Sequence, residues 1–315
     1  MGVNRTGRLL AASRQPIVLS RLALASVVVN VLIVVTGGAV RLTGSGLGCP
    51  TWPSCTDSSL TPTRAYAVHG IIEFTNRQLT FLVSLVVLAT LVAAVLARRQ
   101  LRLAVLLATS IPAQAVLGGI TVLTKLNPWF VAAHFLLSMA IIAVAFLLWW
   151  RVRELPPGTA TTPLRATGWS LLTLTAAVLA VGTVVTGSGP HSGASTDSGA
   201  THRIQFSPSS VAQLHADLVM LLIGLTIGFV LLARLAGADS ATRRAGRRLL
   251  AVELGQAVIG FVQYFTHVPA LLVGVHMLGA CLVWLAALTV LARLGRPAVG
   301  PVTAEPRLRT VAAAG

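Results

Sequence analysis

The chain is 315 residues long, 55% hydrophobic and only 10% charged, against roughly 25% charged in a soluble domain. This excludes a simple cytosolic enzyme, a disordered tail protein and, with only three cysteines, a disulfide-dense secreted scaffold; the solvent must be lipid. The formal net charge of +16, from 24 Lys and Arg against 8 Asp and Glu, would suit nucleic acid, but the basic residues sit between apolar runs, so they report membrane topology and nucleic acid is not expected as a partner.

A basic segment, 1–21, with Arg5, Arg8, Arg14 and Arg21, precedes an apolar run at 22–40. The same order marks a secretory signal, but no convincing small-residue cleavage site precedes Arg41 and seven more runs follow, so the run is read as a retained helix. In the loop 41–66, Cys49 and Cys55 flank Pro50-Thr51-Trp52-Pro53-Ser54. Outside the cell a bridge closing so short a loop would persist and be open to exchange; a staple and a redox role both remain open. Apolar runs follow at 67–97, 103–123 and 130–150, then a linker at 154–167. Further runs lie at 168–186, 211–233, 249–266 and 271–292. Each spans, or nearly spans, a hydrocarbon core about 30 Å thick. His191 and His202, in the Gly/Ser-rich loop 187–210, read as solvated. His267 lies in a short external turn and aligns with Lys125, a position from which it can cap a propionate. Cys281 reads as a buried small hydrophobe. The tail 295–315, rich in Pro, Ala and Arg, is expected to be disordered.

On one side of the membrane fall the four N-terminal arginines, Arg98, Arg99, Arg102, Arg151, Arg153, Arg165, Arg234, Arg243, Arg244, Arg247, Arg248, Arg293, Arg296, Arg307 and Arg309. The other side has Arg41, Arg64, Lys125 and Arg203, with Arg77 inside a helix. The imbalance predicts a multi-pass protein of the cell membrane with both termini cytoplasmic. Gln114-Ala115-Val116-Leu117-Gly118 recurs as Gln256-Ala257-Val258-Ile259-Gly260, and at the same spacing His134 falls on His276. Thr43-Gly44-Ser45-Gly46 recurs as Thr186-Gly187-Ser188-Gly189. The predicted fold is therefore an all-α polytopic membrane protein whose eight transmembrane helices form two tandem, pseudo-symmetric four-helix bundles, 22–153 and 168–294, related by an axis along the bilayer normal.

His69, His134, His215 and His276 each lie shortly after the start of an even-numbered helix, at similar depth. One intramembrane histidine can be explained by a hydrogen bond to a neighbouring helix; a repeated pair fits iron ligation from two faces of a flat macrocycle held in a bundle core. Zinc would call for nearby Cys or carboxylate ligands. On the second run, His69, Glu73, Asn76 and Arg77 share one helical face, so a carboxylate, an amide and a guanidinium are expected to line the slot of the first site; an i,i+4 ion pair between Glu73 and Arg77 is the competing reading. The histidine face around His215 has no matching carboxylate, and Glu253 is expected to pair with Arg247 or Arg248.

The string Gly37-Gly38-Ala39-Val40-Arg41-Leu42-Thr43-Gly44-Ser45-Gly46-Leu47-Gly48-Cys49-Pro50, the stretch Glu73-Phe74-Thr75-Asn76-Arg77 and the helix histidines resemble the haem A synthase family over about residues 20–295. The resemblance implies oxidation of the C8 methyl of haem O to a formyl group, by successive hydroxylation and loss of water, giving haem A. It implies a haem b bound by His215 and His276, and substrate haem in the first half near His134 and Glu73, with the Cys49/Cys55 loop nearby. A carboxylate beside a porphyrin edge can accept a proton or stabilise positive charge, with Arg77 steadying it or a propionate. Implied partners are a haem O-producing farnesyltransferase (haem O synthase) and a terminal oxidase; a homo-oligomer is left open.

Many family members have histidine where this chain has Asn76. Either His69, about 10 Å up the same face, replaces it as a ligand, or the substrate iron meets only His134. Loop 187–210 also lacks a cysteine pair. Two other classes share much of the pattern: a cytochrome b-type electron-transfer protein binding two haems unchanged, and a proton-coupled transporter. Glu73 separates an oxidase from a passive electron carrier, and the clustering of Gly/Pro interruptions at helix ends argues against the transporter.

Overall fold

The computed structural model describes residues 5–63, 67–155, 158, 160–191, 193 and 202–295, with only the backbone of 5–15 and 67. The tail from 296, including Arg296, Arg307 and Arg309, lies outside the described residues, as do Arg64 and part of the loop after the fifth helix. Among the described residues there are eight helices and no strand: α1 Arg5–Leu42, α2 Ala67–Ala97, α3 Leu101–Leu123, α4 Pro128–Val152, α5 Thr162–Ser188, α6 Pro208–Leu235, α7 Ser240–Phe265 and α8 Ala270–Arg293. Seven are long and apolar enough to cross a membrane, and the chain is an all-α polytopic membrane protein.

Three helices start six or more residues before their apolar runs. α1 begins within the basic segment, at Arg5. α5 begins inside the expected linker because Thr161 caps it, its hydroxyl accepting the Leu164 N–H at 3.5 Å, with a proline in the first turn. α7 takes up Arg243, Arg244, Arg247 and Arg248, which is why it falls outside the seven apolar spans. Its start is set by Asp239, whose carboxylate accepts the N–H groups of Ala241 at 2.8 Å and Thr242 at 3.0 Å and the Thr242 hydroxyl at 2.6 Å. Partial desolvation opposes the Asp239 charge, but the Thr242 hydroxyl and the two N–H groups outweigh it and hold the carboxyl below its ordinary value.

Both halves close the same ring of neighbours. α1 packs on α2 and α4, and α3 on α2 and α4; α5 packs on α6 and α8, and α7 on α6 and α8. One apolar core is built around Leu107, Ile142 and Leu148 and a second around Leu171, Phe229 and Leu249. α8 serves both, contributing Cys281, Trp284 and Leu288 to the first and Val283, Ala287 and Val290 to the second. Cys281 is fully buried and free, a small apolar group as expected. Apolar contact adds little between helices in lipid, so polar bonds matter more. Trp284 donates its Nε1–H to the Met139 carbonyl at 2.9 Å, tying α8 to α4. Ser26 and Thr90 join α1 to α2 at 2.9 Å.

The repeated Thr-Gly-Ser-Gly elements clasp the halves at the C-terminal ends of α1 and α5. Arg41 donates to the Thr186 carbonyl at 3.0 Å and the His191 carbonyl at 2.7 Å, and the Gly46 N–H donates to the Gly193 carbonyl at 2.8 Å. His191 is thus not the solvated residue expected: it is half-buried, and its Nε2 lies 2.9 Å from the Val268 carbonyl. His202 and His267 are exposed.

α7 decides the topology. Ala236→Cys and Thr266→Cys variants should react with a membrane-impermeant maleimide from opposite faces of the membrane; labelling of both from one face would mean that α7 does not cross.

Candidate functional site

The end of the first half that carries the Cys49/Cys55 loop is organised by an ion pair. Glu73 and Arg77 are one turn apart on α2, and Arg77 donates to Glu73 Oε1 through Nη2 at 2.6 Å and Nε at 3.2 Å. The other carboxylate oxygen accepts the Cys49 N–H at 2.8 Å. The guanidinium also donates to the carbonyls of Cys49 at 2.8 Å, Thr51 at 3.0 Å and Ser54 at 3.2 Å. Cys49 and Cys55 form a disulfide, so the two α2 side chains grip the main chain of a closed loop. Glu73 is only 5% exposed. Gly48 lies flat on the α2 backbone at His69–Gly70, where a Cβ would clash. From the same loop Trp52 covers Gly119 of α3 so closely that a Cβ there would enter the indole ring.

Gly118, the neighbour of Gly119, faces the His134 imidazole: a Cβ there would lie 3.0 Å from its Cε1. Gln114 donates to the His134 carbonyl at 3.0 Å and to the Ser138 hydroxyl at 2.6 Å. His134 Nδ1 and Gln114 Oε1 are buried without partners, as is Asn76 Oδ1, whose amide faces α1 near Gly37. The four α2 residues therefore do not line one slot together. Glu73 and Arg77 turn to the loop, Asn76 turns to α1, and His69 is exposed with its Nδ1 2.9 Å from the Ser45 hydroxyl.

The second half repeats the histidine surroundings. His215 lies on α6 and His276 on α8. Gly182 of α5 backs His215 and Gly260 of α7 backs His276, where a Cβ would lie 3.2 Å and 3.7 Å from the respective Cε1 atoms. The Val178 carbonyl lies beside His215, yet no hydrogen bond closes on Nδ1 of either ring. Gln256, the repeat of Gln114, fills the space left by Gly279 of α8, and its Oε1 is also unpartnered. Among the described residues nine buried side-chain polar atoms lack partners, and five belong to these two constellations: Gln114 and His134, then His215, Gln256 and His276. No group of three or more His, Cys, Asp or Glu side chains is placed to hold a bare metal ion among the described residues.

The sequence reading overlooked the two glutamines, although each opens the duplicated string that helped to reveal the repeat. It also mistook Glu253. That carboxylate is 3% exposed and makes no ion pair with Arg247 or Arg248; it accepts the Thr226 hydroxyl of α6 at 3.0 Å. Residues five and six apart on a helix do not face each other, which leaves both arginines out of reach.

Arg77→Ala would remove three bonds to loop carbonyls and leave Glu73 buried without its counter-charge, a loss of about 3–5 kcal/mol for a pair of this kind. After mild reduction, Cys49 and Cys55 should be alkylated at least tenfold faster than in the wild type. An unchanged rate would mean that the ion pair does not hold the loop.

A profile of the cytochrome oxidase assembly protein family matches residues 20–288. A Heme A synthase from Geobacillus thermodenitrificans is 30% identical over 133 residues, an alignment that covers 39% of this chain and 39% of that protein. By the extent of the profile match, with the duplicated histidine sites and the clamped disulfide loop inside it, the chain belongs to the cytochrome oxidase assembly protein family.

Proposed function

We propose that this protein is a haem A synthase, which oxidises the C8 methyl of haem O to a formyl group to supply haem A to a terminal oxidase. The observation that carries the reading is the gathering of five unpartnered buried polar atoms on two repeat-related Gln–His sites. An unsatisfied buried polar atom costs roughly 1–3 kcal/mol, and chance does not concentrate that cost on histidines backed by glycines.

His215 and His276 fit a bis-imidazole iron site, and they would hold a haem b between α6 and α8. When bound, that group supplies a one-electron relay. His134 is the imidazole that would face the iron of haem O in the first half. The exposure of His69 and its bond to Ser45 support the version in which His134 alone ligates there. Glu73 would be the carboxylate that accepts a proton or stabilises charge at the reacting methyl, with Arg77 holding it in position. Trp52 and the disulfide loop would exclude water from the outer end. The excess of arginine on one side supports a cell-membrane location with both termini cytoplasmic, and haem O synthase and the terminal oxidase are the partners this reaction requires.

One observation favours a second reading, a cytochrome b-type protein that binds haems without altering them: both Glu73 oxygens already have partners. Pigment extraction from a host lacking its own enzyme separates the two. The wild-type chain should yield haem A from haem O, and Glu73→Ala should keep iron porphyrin in the second bundle yet yield none. Wild-type amounts of haem A from that variant would remove Glu73 from the reaction, and no haem A from the wild type would favour the electron carrier.

A further inference from the structure

Glu253 has no part in the chemistry above, and nothing local explains it. It lies midway along α7, 3% exposed, with one oxygen on the Thr226 hydroxyl at 3.0 Å and the other without a partner. α7 packs only on α6 and α8, and no charge on either faces the carboxylate. On α6, His215, Asp217 and Arg234 are all two or more turns from Thr226; Asp217 and Arg234 are exposed, and Asp217 is bonded by Gln213. On α8 the titratable groups are His276, the buried Cys281 and Arg293, which covers the Trp150 ring. On α7 itself Arg243 bonds the Ala238 carbonyl, Arg244 bonds Ser240, and Arg247, Arg248 and Tyr264 are exposed.

The carboxylate shares a helical face with Gln256, one turn outward, whose side chain meets α8 at Gly279. Gly279 is one turn inward of His276, and Gly260, two turns outward of Glu253, backs the His276 ring. Helical rise therefore puts Glu253 about 10 Å below the level of His276 along the bundle. Glu253, Gln256 and His276 each carry a buried polar atom without a partner, at successive levels between the two.

We infer that Glu253, positioned by Thr226, is a proton-binding site inside the second bundle, whose occupancy is coupled to the redox state of the iron held by His215 and His276. The inference rests on the reading that this bundle holds a haem. Glu253 takes one proton from water onto its carboxylate when one electron enters the bundle from a one-electron donor, so the added negative charge is balanced in a medium that screens poorly. When the electron leaves, the O–H bond breaks and the proton returns. Coulomb's law at about 10 Å, with an effective dielectric constant near 20, makes the proton bind about tenfold more tightly after reduction.

The test is a potentiometric titration of the purified, haem-loaded chain at a series of pH values, with an electrode and soluble mediators as donor. The midpoint potential should fall by about 59 mV in total, the one-electron equivalent of a tenfold change, between two plateaus as pH rises. Glu253→Gln should keep its haem and lose the fall. Thr226→Val removes a donor that favours the charged carboxylate, so the fall should move to higher pH. A wild-type potential independent of pH overturns the inference. So does a fall that survives in Glu253→Gln, since the haem propionates would then be the titrating groups. If Glu253→Gln does not accumulate, an unmoved fall in Thr226→Val overturns it. A chain without haem overturns the reading of the second bundle as well, whereas bound haem with a pH-independent potential overturns this inference alone.

Discussion

In lipid, a polar atom that leaves water must find a partner inside the protein, and failure costs several times more than a typical net hydrogen bond returns. Most of this chain obeys that constraint. Serine and threonine hydroxyls return to carbonyls of their own helices, as Thr175 does to Leu171 and Thr90 to Val86, and Arg41 and Arg77 spend their donors on loop carbonyls. The exceptions gather at His134 in the first half and at His215 and His276 in the second, each ring backed by a glycine that leaves room beside it. Three rings so treated, in a duplicated frame, are the physical basis for reading both halves as cofactor sites.

The duplication also explains how the halves came to differ. The same ring of helix contacts is built twice, and the Gln-His pairs occupy equivalent positions. Only the first half has an outer loop closed by Cys49–Cys55 and gripped by the Glu73–Arg77 pair. Only the second has a buried carboxylate at mid-depth, Glu253. One bundle is thus elaborated at its outer mouth, where a large flat molecule would enter. The other is elaborated below its histidines, where a charge would be balanced.

The helices were legible because a membrane crossing imposes a long apolar run, and the repeat because Gln114–Gly118 and Gln256–Gly260 remain nearly identical. Helix starts were less so: α5 and α7 begin at Thr161 and Asp239 caps that hydropathy does not register. The disulfide followed from spacing and compartment, and the Glu73–Arg77 pair from an i,i+4 interval. What could not be read was the non-local half of each contact. That Arg77 reaches Cys49, Thr51 and Ser54, that His191 reaches Val268, and that Glu253 turns to Thr226 all depend on how distant segments meet. The expected common face of His69, Glu73, Asn76 and Arg77 failed for the same reason: each side chain has its own neighbour, in Ser45, Cys49, α1 and the loop carbonyls.

The central claim is that the second bundle holds an iron porphyrin between the imidazoles of His215 and His276. The pyridine haemochrome spectrum of the purified full-length chain tests it most directly, with His215→Ala and His276→Ala measured beside the wild type. The account predicts b-type haem in the wild type and a lowered content in both variants. Wild-type protein without porphyrin, or an undiminished content in both variants, would contradict it.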